Sequence, residues 1–156
     1  MTTAHLAQLN VARLLAPLDD PSISDFVDAL DRINALAEAS SGFVWRLQSD
    51  SGNATDIRVE QDPLLIVNLA VWESVEALFD FTYRTGHNRI LARRRDWFER
   101  MEAAHLVLWW VPAGHRPNLD EAMARLARLR RDGPTPAAFT FKQRFPPMIE
   151  PRAAAS

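Results

Sequence analysis

The chain has 156 residues, of which 47% are hydrophobic, enough for one domain with a single core. A formal net charge of -2 sets seventeen arginines and one lysine against twenty acids, so no overall positive field exists to gather nucleic acid. There is no cysteine, which excludes thiolate nucleophiles, Cys-type zinc sites, iron–sulfur ligation and disulfides together, and Lys142 and Tyr83 are the only lysine and tyrosine. The N-terminus lacks a leader pattern and no apolar run approaches about 20 residues, so the expectation is a cytoplasmic protein without a membrane span.

In chain order, "HLAQLNVAR" (His5 to Arg13) reads as a first strand, with His5, Ala7, Leu9 and Val11 on one face and Leu6, Gln8, Asn10 and Ala12 on the other. After Pro21, Ser22 or Ser24 can cap a helix whose stripe is Phe26, Leu30, Ile33 and Ala37. "FVWRLQ" is a second strand, expected to show Phe43, Trp45 and Leu47 on one face, and it forms a hairpin with "LLIVNLAVW" across a long turn-rich loop. Ser74 caps a second helix carrying Val75, Leu78, Phe79 and Thr82. A further helix is expected from His87 to Met101, then the β-prone run "HLVLWWV". Adjacent Trp109 and Trp110 point to opposite faces of that strand, one expected in the core and the other at an interface. The order βαββαβ is ferredoxin-like, an α+β fold. A C-terminal helix follows, "LDEAMARLARLRR", with Asn118 and Glu121 as its capping box, then a short strand in "AAFTFKQRF". One domain over residues 1–150 and a flexible tail over 151–156 are expected.

On a helical wheel, His87 to Met101 places Arg94 and His87 within the apolar stripe of Ile90, Leu91, Trp97, Phe98 and Met101. A charge there must be paired or hydrogen-bonded, and two readings follow. Either Arg94 bridges a core or interface carboxylate and His87 is a satisfied histidine, or both line a pocket between helix and sheet, Arg94 orienting a carbonyl or anion and His87 carrying a proton. The amides Gln8, Asn10 and Asn68 on otherwise apolar strands need partners in the protein or in a ligand. His115 and Arg116 precede a helix N-terminus, where an anion site competes with a plain loop. No HExxH, GxSxG, glycine-rich phosphate loop or i,i+4 histidine pair is present.

The stretches "HLAQLNVAR", "RRRDWFERM", "WWVPAGHRPN" and "AFTFKQRF" resemble a bacterial family known as domain of unknown function 3291 over nearly the whole chain. "VWESVEALFDFTYRTGH" is similar to the dimeric α/β-barrel superfamily, which includes antibiotic-biosynthesis and haem-degrading monooxygenases. That resemblance implies a homodimer of face-to-face sheets, each protomer with a pocket between helices and sheet, and the uncovered apolar sheet face argues the same way. It also implies a cofactor-independent monooxygenase-like enzyme acting on an apolar cyclic or aromatic small molecule. The same residues would serve an isomerase, cyclase or dehydratase, and a non-catalytic haem or small-ligand binding dimer is the other alternative. For the haem-degrading pattern, Asn10 matches the first-strand asparagine, His87 falls near the histidine position, and Phe81 stands where a tryptophan is used. The expected catalytic residues are therefore His87, Arg94 and Asn10. Gln8, Asn68, Trp72, Phe81, Tyr83 and Trp97 are the expected substrate contacts, with no cofactor, or haem on His87 in the alternative, and no metal.

Overall fold

In a computed structural model, residues 4–48, 62–84, 93–101 and 103–147 are described. Four strands, β1 (Ala4–Arg13), β2 (Phe43–Arg46), β3 (Leu65–Trp72) and β4 (Leu106–Pro112), form one antiparallel sheet in the order β2-β3-β1-β4. The helices are α1 (Ser24–Ala39), α2 (Val75–Arg84), a single turn α3 (Arg94–Trp97) and α4 (Leu119–Asp132). This is the expected ferredoxin-like α+β arrangement, with the hairpin pairing β2 and β3 antiparallel. Among the described residues no helix is long and apolar enough to cross a membrane.

Alternation along the strands sends two different residue sets to the two sheet faces. Ala7, Leu9 and Val11 of β1 join Val67, Leu69, Val107 and Trp109 in one core, closed by Ala122, Leu126 and Leu129 of α4. On the opposite face Leu6, Ala70, Trp72 and Leu108 pack with Ala37 of α1 and with Val75, Leu78 and Phe81 of α2. Further along that second face, Leu14, Ile66 and Trp97 pack with Ile23 and Phe26. Both faces are thus covered within one chain. The apolar face that was expected to require a second protomer lies under α4, so the need for cover supplies no argument for a dimer. The two adjacent tryptophans do point to opposite faces: Trp109 is fully buried under α4, and Trp110 is partly buried on the helix face and donates its indole N–H to the Phe145 carbonyl at 2.8 Å.

Capping follows side-chain chemistry more than position. Ser74 Oγ accepts from the Ala77 N–H and Asn118 Oδ1 from the Glu121 N–H, as expected. At α1 neither serine caps the helix: Asp20 caps the preceding 3₁₀ turn, and the Ser24 hydroxyl donates back to the Pro21 carbonyl. A register shift between Phe43 and Trp45 separates residues expected to share a face, sending Phe43 to the α1/α2 side and Trp45 and Leu47 to the α4 side. "AAFTFKQRF" forms isolated bridges instead of a strand, Phe139 exchanging both backbone hydrogen bonds with Leu108 at 2.8 Å.

Candidate functional site

The helix His87 to Met101 is not continuous. Residues 85–92 lie outside the described residues, Arg94–Trp97 forms one turn, and Phe98 is extended at φ -124° and ψ 147°, bridging Leu14. Pairing with the end of β1 therefore wins over helical periodicity, and the wheel that placed Arg94 in the apolar stripe does not apply. Arg94 is exposed. Its neighbour Arg93 makes the contacts: it bonds Asp25 and Asp96, each at 3.0 Å, and lies 4.7 Å from the Trp97 ring centroid. Among the described residues Asp96 pairs with Arg93 and Glu99 with Arg13. His87 falls outside the described residues.

The expected amides do come together. The β1/β3 register sets Asn10 opposite Asn68 and Gln8 opposite Ala70, on the side of the sheet that faces α1 and α2. Gln8 is 5% exposed, the one buried polar residue among the described residues, and donates from Nε2 to Asn10 Oδ1. That bond leaves the Asn10 amide N–H groups and the Gln8 carbonyl oxygen for another partner. Asn10 is half-buried and Asn68 exposed, so the row opens outward in the middle of an otherwise closed layer.

Aromatic clusters flank this amide band on the same face. At one end Trp72 stacks on Phe81 with ring centroids 5.3 Å apart and meets Phe43 edge-on at 5.4 Å. At the other end Trp97 lies 5.6 Å from Phe26, with Phe98 edge-on to both. The indole nitrogens of Trp72 and Trp97 are buried and have no hydrogen-bond partner among the described residues. Each such orphaned donor costs about 1–3 kcal/mol, an unusual expense to find twice around one row of amides. Tyr83 is not part of this arrangement: two residues from Phe81 on α2, it is 47% exposed and packs on Phe79 and Phe141.

One charged residue near the band escaped the sequence reading. Arg46 pairs across the sheet with Ala70, two strands from Gln8, and its side chain is only 13% exposed beside Glu38 of α1. Its signal is the alternation of "FVWRLQ", which sets Arg46 on the face opposite Trp45 and Leu47. His115 is satisfied structurally, bonding Glu121 at 2.8 Å, while the other Glu121 oxygen accepts from the Trp109 indole at 3.2 Å. Two open clefts, of about 420 and 310 Å³, lie beside α4 and include Arg130 in their linings, away from the amide band.

The sequence profile of the family described as Domain of unknown function (DUF3291) matches residues 5–154. No curated protein matches the chain. Among solved structures, SnoaB, a cofactor-independent oxygenase from Streptomyces nogalater, is similar at 16% identity and a TM-score of 0.46, covering 75% of this chain and 98% of its own. PA3566 from Pseudomonas aeruginosa is similar at 13% identity and a TM-score of 0.48, over 75% and 99% of the two chains. A protein of Chloroflexus aurantiacus J-10-fl, provisionally described as an antibiotic biosynthesis monooxygenase, is 13% identical with a TM-score of 0.45, over 74% and 98%.

Proposed function

The chain belongs to the DUF3291 family, whose description names no reaction, and we propose from the site that it is a small-molecule enzyme working on an apolar, cyclic substrate that carries a carbonyl or enol oxygen. The observation that carries this reading is the amide band itself. Three carboxamides interrupt an apolar sheet face between two aromatic clusters, and each cluster holds a buried indole N–H without an acceptor. The half-buried Asn10 and the exposed Asn68 offer neutral donors to an oxygen, and the apolar layer around them suits an apolar ring.

The reaction we assign is cofactor-independent monooxygenation. Asn10 donates from its amide nitrogen to the substrate oxygen, favouring the enolate over the ketone, and Gln8 holds Asn10 in that orientation. A proton acceptor is required, and His87 is the residue the sequence nominates. The enolate then gives its electrons to dioxygen. For anthrone the balance is anthrone plus one dioxygen giving anthraquinone plus one water, with no external reductant.

The test uses anthrone as the probe, following oxygen uptake together with anthraquinone absorbance. The expected result is uptake above the buffer rate that falls at least about tenfold in Asn10→Ala, assayed well below that variant's melting midpoint, consistent with loss of one oxyanion donor; the Gln8 donor left without its acceptor lowers stability by about 1–3 kcal/mol. Uptake at the buffer rate, or an Asn10→Ala protein as fast as the parent, overturns the oxygenase assignment.

A further inference from the structure

Resting on that reading of the amide band as the substrate site, we infer that Arg46 is its specificity-determining residue, selecting substrates that carry an acidic group such as a carboxylate. The two sheet rows concerned are Arg46, Ala70 and Gln8 in one, and Asn68 and Asn10 in the next. Arg46 and Asn68 are diagonal neighbours across β2 and β3, a relation that sets side chains about 7–8 Å apart at their bases, within the span of an arginine. Ala70, between Arg46 and Gln8, contributes only a methyl group to that row. The amide band therefore continues towards the β2 edge into a cation.

Arg46 is under-partnered for its burial. Its side chain is 13% exposed, against 39% for Arg13, 48% for Arg93 and 70% for Arg131, each of which also has acidic partners. A guanidinium carries five N–H groups, and among the described residues the Nε edge alone is used, donating to Glu38 Oε2 at 2.9 Å. Glu38 is 46% exposed, so solvent screens the pair. One screened hydrogen bond offsets little of the cost of withdrawing a charge from water. The Nη groups have no acceptor among the described residues, and a ligand carboxylate supplies the missing one in the planar, two-toothed geometry that arginine favours. Glu38 meanwhile steadies the guanidinium from its other edge and competes electrostatically with an acidic ligand.

The experiment compares two isosteric probes, 2-naphthoate and neutral 2-naphthamide, by quenching of tryptophan fluorescence. The parent protein is expected to bind 2-naphthoate about tenfold tighter than 2-naphthamide. In Arg46→Gln that preference collapses to within about twofold, chiefly through weaker binding of 2-naphthoate. In Glu38→Gln, naphthoate binds more tightly, by about threefold, because a competing carboxylate is gone. A merely structural ion pair predicts the same response from both variants, so the opposite signs separate the two roles. If both probes bind and Arg46→Gln keeps the preference, the role of Arg46 is overturned and the amide site stands. Binding of neither probe by the parent overturns the amide site and the inference together. Should Arg46→Gln fail to fold, Glu38→Gln decides: unchanged naphthoate affinity overturns the inference.

Discussion

Truncating Leu126 to alanine tests whether α4 is the intramolecular cover of the sheet. Leu126 is 1% exposed and belongs to the same buried cluster as Leu9, Val107 and Trp109. Burying a leucine side chain is worth about 1.5–3 kcal/mol, and truncation adds a cavity term, so buried Leu→Ala changes cost about 2–5 kcal/mol. Leu126 also borders the cleft of about 420 Å³, which gives neighbours and water room to relax into the gap. The lower half of the range therefore applies, about 2–3 kcal/mol. For a chain of this size that lowers the melting midpoint by roughly 4–12 °C. Urea unfolding at several protein concentrations measures it, with Arg128→Ala, exposed on the same helix, as the control expected to stay within about 0.5 kcal/mol. A loss below about 1 kcal/mol, or a parent midpoint that rises with protein concentration, would show that something other than α4 stabilises that face.

Two further outcomes follow from the ion pairs. Arg93→Ala loses Asp25, Asp96 and the Trp97 ring face and lowers the denaturant midpoint more than Arg94→Ala does; equal effects in denaturant titrations would contradict the placement of the two side chains. The Leu64 backbone N–H, then the Arg13 guanidinium, hold the Asp62 carboxyl below the usual carboxylate range. A depressed carboxylate contributes stability that is present above its unfolded value, near 4, and lost as pH falls through its folded value, so Asp62→Asn flattens the acid limb of the stability profile below about pH 4. Thermal melts from pH 2.5 to 6 check this, and an unchanged acid limb would show that Asp62 is not held in this way.

Much of the site was legible along the chain because it rests on strand alternation, a two-residue rule that needs only local backbone geometry. Gln8 and Asn10 share a face in "HLAQLNVAR" whatever the rest of the molecule does, and the amide of Asn68 in β3 is visible as a break in an apolar run. The side chains of Asn118 and Ser74 likewise declared their helix starts, since a cap acts within three residues. The arginines behaved differently. Arg94 was placed by a periodicity that holds only while the helix continues, and backbone pairing of Phe98 with Leu14, residues far apart in the chain, ends that helix after one turn.

The sequence by itself determined the βαββαβ order, the amides that share one face of β1, and the chemistries excluded by the absence of cysteine, because each depends on composition or on neighbours a few residues apart. Tertiary structure alone decided that α4 covers the second sheet face, that a register shift parts Phe43 from Trp45, and that Arg46 rather than Arg94 is the partly buried charge near the amides. Those outcomes depend on which segment reaches a given surface first and packs there best. That competition between distant parts of the chain leaves no periodic trace in the segments themselves.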